Sequence, residues 1–574
     1  MPDARTLLLV RLEEAFDSLE AGADPVLRAS DRADYQANGA LAVAKRLGRD
    51  PRSVAADIVS ALDLSDVCET VEISGPGFIN LTFSDTFLAE RVSAMATDPR
   101  LGVEPAEAPA TVVVDYSAPN VAKEMHVGNL RSTIIGDSLC RMLDLLGHRT
   151  IRQNHIGDWG TPFGMLIEHL VDIGEQEAAH ELSVGDLGTF YQQARTSFDG
   201  DPEFRDRARR RVVLLQSGDE ETLRLWHLLV SESVRYFDGV YAKLGVLLTD
   251  DDIAGESMYN ARLPDVVADL AALGLLVEDD GARCVFPPGF TNRHGAPLPL
   301  IVQKSDGGYG YAATDLAAVR HRVDDLGADR ILYVVGAPQA QHLEMCFAVA
   351  RMAGWLPEGT EAEHIAFGNV LGADHKMLKA RSGDSVKLVE LLDEAVQRAG
   401  AAMDERGHHL GEEEHHAVAR AVGIGAAKYA DLSTERGRDY VFDWDRMLAF
   451  EGNTGPYLQY AHARIRSIFR RGGEAAPDPS VPPVLVDRHE RALAFRILGF
   501  PGAVADAAGS AAPSKLCSYL FELATAYTSF YEHCAVLNAA GAETRRSRLL
   551  LSDLTARVLS SGLGLLGIES PPRM

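Results

Sequence analysis

TVVVDYSAPNVAKEMHVGNLRSTIIGDSLCRMLDLLG, residues 111–147, is the stretch that decides the fold. Its first four residues, before Asp115, are β-branched and mostly apolar, the pattern of a strand buried on both faces of a parallel sheet. A polar loop follows. Apolar residues at helical spacing then run from Leu130 to a stop at Gly147. The next run, RTIRQNHIG (149–157), reads as a second strand, so the segment opens as a β-α-β unit. Further strand-like runs come at PLIVQKS (299–305), RILYVVG (330–336) and HIAFGNV (364–370), with helical stretches between them. That rhythm predicts an α/β, Rossmann-like, doubly wound parallel sheet.

The loop at the end of the first strand is where such a sheet takes phosphates. The free N–H groups and positive end of the following helix point at the ligand there. Gly128 permits close approach of a nucleotide to the backbone, and His126 is a donor for a phosphoryl oxygen as charge builds on it. Lys123, just upstream, is either a second phosphate contact or an exposed loop lysine. By physics alone this is a plausible nucleotide site and no more.

Outward from this core, residues 1–108 read as a small α+β domain. Asp34–Leu47 has helical apolar spacing, Asp50-Pro51 caps another helix, and VEISGPGFINLTFS (71–84) predicts two strands about a Ser-Gly-Pro-Gly turn. The Pro/Ala-rich 101–110 reads as a linker. Residues 165–250 are mainly helical and include the basic run RDRARRR (205–211); from about 386 onward helices dominate to the end.

The bulk composition agrees with several packed cores. The 574 residues are 46% hydrophobic and 24% charged, enough for three or four domains. The longest apolar stretches are short, so no transmembrane helix is expected, and Arg11, Glu13 and Glu14 break the N-terminal apolar run too early for a signal peptide. The six cysteines are scattered without any CxxC pair, which points to reduced cytoplasmic thiols and to no zinc site of cysteine type. The net charge of −27 opposes a nucleic-acid partner unless basic residues are locally concentrated. Concentrations do occur, at Arg205, Arg207, Arg209, Arg210 and Arg211 and again at Arg464, Arg466, Arg470 and Arg471, although a run such as the first is usually a solvated helix face. Tyr457, Tyr460 and Phe469 near the second group are candidates for base stacking, with a core role expected for at least two of them. His408-His409 and His415-His416, set among Glu412, Glu413 and Glu414, read as a solvated helix face rather than a metal site.

The block around His126 resembles the class I aminoacyl-tRNA synthetase signature, His-Ile-Gly-His, and DYSAPNVAKEMHVGNLRSTIIGD (115–137) resembles its arginyl branch. So do NHIGDWGTPFGML (154–166), KSDGGYGYAATDLAAV (304–319), DYVFDWDRMLAFEGNTGPYLQYAHARIRSI (439–468), LGLLGIESPPRM (563–574), YQANGALAVAKRLGRDPRSVAADI (35–58) and ISGPGFIN (73–80). The resemblance runs nearly end to end. It implies an N-terminal α+β domain (1–108) that contacts the tRNA elbow. After it come a catalytic domain (109–445) with a helical insertion (about 165–250) and an all-α anticodon-binding domain (446–574).

It also implies roles for single residues. Lys376 and Lys379, in HKMLKARSG (375–383), stand where the family has its second signature, Lys-Met-Ser-Lys, and would neutralise the departing pyrophosphate. With His126, Gly128, Asn129 and Lys123 they form the expected ATP site. Asp115 and Asn120 are placed near the amino and carboxylate end of L-arginine, Tyr311 and Asp315 near its guanidinium, and Gln339 in the pocket wall. The substrates implied are ATP with Mg²⁺, L-arginine and tRNA(Arg), with a tRNA-dependent first step; the protein is expected to be a cytoplasmic monomer without bound zinc. Asn129 departs from the family, where a second histidine stands, and cannot become a cation. That change leaves open a paralogue with altered catalysis or a specialised role. A nucleotidyltransferase of the same superfamily acting without tRNA is disfavoured by the two flanking domains.

Overall fold

The structure, a computed structural model, describes residues 4–175, 187–378, 386–405, 410–473 and 475–574. The chain forms two compact units. One comprises Met1–Pro105, Ala449–Leu565 and Glu569–Met574; the other comprises Ala106–Leu448 and Leu566–Ile568.

In the first unit, strands β1 (Leu27–Ala29), β2 (Tyr35–Ala37), β3 (Cys68–Ser74) and β4 (Phe78–Phe83) make an antiparallel sheet in the order β1-β2-β4-β3. The turn between β3 and β4 is the predicted Ser-Gly-Pro-Gly. Gly75 and Gly77 take φ of 54° and 128° there, which L side chains rarely adopt. The helices Ala4–Asp17, Ala40–Leu47 and Pro51–Ala61 bury Leu8, Leu12, Phe16, Val43, Val54 and Ile58 against Ile79 and Leu81. Asp50 caps the third of these, accepting from the Ser53 N–H. The helix expected over Asp34–Leu47 starts only at Ala40, because Tyr35–Ala37 pairs with β4. Asp34 is buried, accepts the Phe83 N–H at 2.8 Å and ion-pairs with Arg491 at 2.7 Å. Arg491 belongs to the helix Arg488–Ile497, so the N-terminal sheet and the C-terminal helices Gly455–Gly472, Arg488–Ile497, Phe500–Gly509, Pro513–His533 and Ala542–Leu565 share one unit. Among the described residues one stretch, Arg488–Gly509, is long and apolar enough to cross a membrane by length and composition. It is split into two helices and buries Leu493, Ile497, Phe500 and Val504.

In the second unit, β5 (Thr111–Asp115) and β6 (Arg149–Gln153) are the two strands of the predicted β-α-β opening. Between them runs the helix Val127–Leu145. The strands β7 (Val277–Asp279), β8 (Ala282–Val285) and β9 (Leu300–Gln303) form a separate antiparallel sheet. PLIVQKS is therefore a strand, but not of the parallel sheet; its neighbour in sequence space, a short hairpin, pairs with it first. The parallel sheet is completed by β10 (Arg330–Tyr333) and β11 (Glu361–His364), in the order β11-β10-β5-β6. HIAFGNV is divided: β11 ends at His364, and β12 (Val370–Leu371) pairs in parallel with β13 (Tyr440–Val441). The helical insertion consists of Pro162–Ile173, Leu187–Gly200, Pro202–Ser217 and Glu220–Leu244.

The basic run in that insertion is mostly committed internally. Arg207 and Arg211 both ion-pair with the buried Glu168, at 3.2 and 2.7 Å, and Arg205 donates to the carbonyls of Phe198 and Asp199. Only Arg209 and Arg210 are exposed. The same is true of part of the C-terminal group: Arg466 pairs with Asp553 at 2.7 Å and Arg464 lies 4.3 Å over the Tyr531 ring, while Tyr460 is the exposed aromatic and Tyr457 and Phe469 are half-buried. His415 pairs with Asp404 at 3.1 Å; His408 and His409 lie outside the described residues.

The helix Val127–Leu145 packs on β5 through a glycine. A Cβ at Gly136 would lie 2.3 Å from the Tyr116 side chain, which is itself fully buried. Gly136→Ala is expected to destabilise the protein by about 1–3 kcal/mol, the overlap outweighing the gain of about 1 kcal/mol in helix propensity. Chemical denaturation checks it; an unchanged midpoint would show that the contact relaxes freely.

Candidate active site

The chain leaves β5 toward β6 on one side, while β10 and β11 continue the sheet on the other. The order of strands therefore reverses between β5 and β10, and ligands of open α/β sheets bind outside the carboxyl ends of the strands at such a point. Those ends are Asp115 and Tyr333. Asp115 is buried, and its Oδ2 takes a hydrogen bond of 2.7 Å from Arg322, which also donates to Gln153 Oε1 at 2.6 Å and lies 4.7 Å over the Tyr333 ring. Burial opposes the Arg322 charge, but Asp115 more than restores it and the pKa is raised. Arg322 lies in a single π-turn, His321–Asp325, at the end of the helix Tyr311–Arg320. Such turns frequently mark functional sites. Asp115 Oδ1 is buried beside this pair with no protein partner. Asp115 thus stands at the sheet end, as expected, but with one oxygen already engaged. Nothing in LAAVRHRVDD distinguishes Arg322 from a surface arginine.

The loop that follows is tightly held. Ser117, Ala118 and Ala122 have φ of 72°, 46° and 57°, uncommon for residues with a Cβ. The NHIG block restrains them. Asn154 accepts the Ala118 N–H at 3.1 Å and donates to Tyr241 Oη at 3.0 Å, and Tyr241 meets Ser117 Oγ at 2.8 Å. Val121 N–H donates to Gly157 O at 3.0 Å and Gly157 N–H to Pro119 O at 3.1 Å, flanking Asn120, whose exposed side chain covers Gly157 so closely that a Cβ there would overlap Asn120 Oδ1.

His126 and Asn129 form a reciprocal cap on the helix Val127–Leu145. His126 Nδ1 accepts the Gly128 N–H at 3.0 Å, and Asn129 Oδ1 accepts the His126 N–H at 3.0 Å. With Nδ1 an acceptor, the neutral ring carries its proton on Nε2, which is left as a donor. The ring folds over Gly128, where a Cβ would meet it at 2.8 Å, so the glycine is needed for the histidine's pose as well as for any ligand. Asn129 holds the backbone with its oxygen and keeps its amide N–H groups for other partners. Although the outer edge of the ring is open, burial and then Lys123 lower the His126 pKa, which keeps it neutral. Lys123 is exposed, its ammonium 4.7 Å over the Tyr191 ring. The start of this helix is stitched to the far side of the second signature stretch: Leu388 N–H donates to Met125 O at 2.9 Å, Val127 N–H to Val386 O at 3.1 Å, and Lys387 pairs with Glu124 at 2.9 Å. Deeper in the helix, Arg131 ion-pairs with Asp431 at 3.1 Å, both fully buried, and lies against the Phe367 and Tyr440 rings.

Lys376 is exposed on a tight hairpin turn. Its carbonyl accepts from Gly372 at 2.8 Å, and His375 takes φ of 58° there. Lys379 and Arg381 lie outside the described residues.

Tyr311 opens the helix Tyr311–Arg320 and is 75% exposed; Asp315, one turn on, is half-buried. Gln339 lies exposed in the turn Ala337–Gln339 after β10. Asp315 contacts His342 Nε2 at 2.5 Å, and that bond raises the His342 pKa. A carboxylate the sequence did not single out joins this region. Glu256 opens the short 3-10 helix Glu256–Arg262, its N–H donating to Ile156 O at 3.1 Å, and is pushed up to about 7 by burial and by the charges of Asp158 and Asp315. Asp158 is itself buried and accepts both the N–H and the Oγ–H of Ser257. The site thus has a donor face at the helix start and an acidic face between Asp315 and Glu256.

A parallel sheet with a histidine-capped helix at its switch point defines a nucleotide-activating catalytic domain of the synthetase class. Residues 92–444 match the family model described as tRNA synthetases class I (R), catalytic domain. Residues 4–83 match the arginyl tRNA synthetase N-terminal domain, and 458–574 match the DALR anticodon binding domain. An arginine–tRNA ligase of Thermobifida fusca is 55% identical over 578 residues, with 100% of each chain covered, and one of Yersinia enterocolitica is 49% identical over 557, with 96% of each covered. The crystal structure of arginyl-tRNA synthetase from Plasmodium falciparum has a TM-score of 0.86 at 29% identity, covering 100% of both chains. That from Thermus thermophilus shares the fold, with a TM-score of 0.83 at 24% identity over 100% of both. The chain belongs to the arginyl-tRNA synthetase family and is a ligase.

Lys123→Ala removes a cation beside His126 and is expected to raise the pKa of the ring, leaving the burial contribution in place. A histidine NMR titration reads this; no upward shift would mean that Lys123 does not reach the ring.

Proposed function

We propose that the donor face binds the phosphates of ATP and that Glu256 and Asp315 together bind the guanidinium of L-arginine. What carries this reading is the second carboxylate: the electrostatic proximity of Glu256 and Asp315 beside the same switch point as His126. A guanidinium is planar, permanently charged and made for paired carboxylate acceptors. Tyr311 and Gln339 would edge the pocket, and Asn120 and the free oxygen of Asp115 would face the amino acid's other end.

The chemistry runs in two steps. The arginine carboxylate attacks the α-phosphorus of ATP, the bond to the β-phosphate breaks, and pyrophosphate leaves. His126 Nε2–H and the side-chain amide of Asn129 stabilise the charge gathering on the α-phosphate, while Lys376 and Lys379 neutralise pyrophosphate. ATP enters as its Mg²⁺ complex, a hard cation satisfied by phosphate oxygens and water. The 2′-hydroxyl of the terminal adenosine of tRNA(Arg) then attacks the adenylate carbonyl and AMP departs. Positioning and preorganised charge supply most of this catalysis. The N-terminal domain is assigned to the tRNA elbow and the C-terminal helices to the anticodon, with the exposed Arg209, Arg210 and Arg471 and the exposed Tyr460 as candidate RNA contacts on a chain otherwise strongly acidic. The protein acts as a cytoplasmic monomer.

Arginine-dependent ATP–pyrophosphate exchange, with and without tRNA(Arg), tests the reading; exchange should require tRNA. In that assay His126→Ala should lower kcat by roughly 10²- to 10³-fold. No exchange in either condition, with tRNA still bound, would favour a non-catalytic role.

A pH dependence follows from Glu256. Its pKa in the free protein is about 7, so below that pH it is protonated and cannot attract the guanidinium. The KM for arginine should therefore rise as pH falls through 7. Glu256→Gln should raise KM roughly 10- to 100-fold, the worth of a charge-assisted hydrogen bond, and flatten this profile. Asp158 and the Asp315–His342 pair face the same region, and a profile unchanged by Glu256→Gln would assign the pH dependence to them.

A further inference from the structure

Asp315 contacts His342, and His342 in turn contacts a thiol. His342 Nε2 lies 2.5 Å from Asp315 Oδ2 and 3.6 Å from Cys346 Sγ, and the three ligand-type atoms are all within 4.8 Å of one another. His342 and Cys346 are four residues apart on the helix Ala340–Met352, hence on one face, and Asp315 comes from the neighbouring helix Tyr311–Arg320. Both helices are anchored in the core, through Leu343, Phe347 and Val349 on one and Ala312, Leu316 and Val319 on the other. The frame is rigid, so the convergence does not depend on a loop.

Imidazole nitrogen, thiolate sulfur and carboxylate oxygen are the donor set of zinc. With Zn–S of about 2.3 Å and Zn–N of about 2.0 Å, a tetrahedral angle sets N and S about 3.5 Å apart. The separation here is 3.6 Å. For an ion to replace the shared proton, the Asp315–His342 contact must widen by under about 1 Å, and Asp315 and Cys346, within 4.8 Å of each other, must stand about 3.5 Å apart. The side chains of Asp315 and His342 are 23% and 30% exposed, so solvent reaches the ion's fourth position, while Cys346 closes the site from beneath. A second group of this kind, Asp487, His489 and Cys534, carries less: Asp487 Oδ1 already accepts both the backbone and the ring nitrogen of His489 as a helix cap.

We propose that Asp315, His342 and Cys346 form a binding site for Zn²⁺ within the arginine pocket, and that the metal and arginine exclude each other. The inference rests on the reading of Asp315 as a partner of the guanidinium. As the metal–sulfur bond forms, the Cys346 thiol releases its proton to solvent. The bound ion takes the carboxylate that the guanidinium needs, so zinc acts as an inhibitor competitive with arginine.

The test uses the full chain, stripped by chelation, with Co²⁺ as a spectroscopic probe and Zn²⁺ in the exchange assay. One equivalent of Co²⁺ is expected to give a thiolate-to-metal charge-transfer band that Cys346→Ser and Cys346→Ala abolish, that Cys534→Ser leaves intact, and that arginine suppresses. Zn²⁺ should raise the KM for arginine without lowering kcat. Relative to each variant's own zinc-free rate, the Cys346 variants should need roughly 10- to 100-fold more Zn²⁺ for equal inhibition. Absence of a Cys346-dependent band overturns the metal site; if Asp315→Asn still raises the KM for arginine, the arginine reading survives that failure. A Cys346-dependent band that arginine does not suppress overturns the mutual exclusion, and with it the place of Asp315 in the pocket.

Discussion

The catalytic unit is organised around a carboxylate at the end of its central strand that a buried guanidinium holds in place. Asp115 closes β5, and Arg322 reaches it from a π-turn at the end of the helix Tyr311–Arg320 while also gripping Gln153 at the end of β6. One side chain thus ties two strand ends to the helix that carries Tyr311 and Asp315. An ion pair this deeply buried contributes little net stability, since desolvation of both charges offsets their attraction, yet removing either partner strands the other. Its effect is therefore on geometry: it fixes where the acidic helix stands relative to the ends of β5 and β6.

On the opposite face the same economy of parts governs the helix start. His126, Gly128 and Asn129 form one device, in which the glycine makes room for the ring, the ring's Nδ1 caps the helix and the asparagine holds the ring's own backbone. The replacement of a second histidine by Asn129 reads differently once this is seen. An amide can accept the backbone N–H and still present donors, so the position keeps a structural task that does not require a cation. The deeper Arg131–Asp431 pair anchors the helix at its other contacts, so the donor end cannot drift.

The strongly negative chain is less puzzling when its arginines are followed individually. Arg207 and Arg211 neutralise the buried Glu168, Arg466 meets Asp553, and Arg491 meets Asp34. These are internal fasteners, and of the two arginine groups the sequence singled out they leave Arg209, Arg210, Arg470 and Arg471 exposed. A linear count of basic residues cannot make that distinction, because the carboxylates that absorb them lie 39 to 457 positions away.

Much was legible in the chain itself. The β-branched run ending at Asp115, the loop with His126 and Gly128, and the helix that closes at Gly147 follow from local rules of periodicity and capping, which act over a few residues. The β3–β4 hairpin and the Asp50 cap are of the same kind. Where the reading failed, strand pairing outside the segment had intervened: the distant β4 drew Tyr35–Ala37 out of a helical pattern, and the preceding strand β8 drew Leu300–Gln303 away from the parallel sheet. The sequence by itself determined the class of fold and the family, because those reside in contiguous segments. Only the tertiary structure decided the acidic end. Glu256, Asp315, His342 and Cys346 come from three separate elements; burial raises the proton affinity of Glu256 and Cys346, and the hydrogen bond to Asp315 raises that of His342, effects that exist only after those elements have packed.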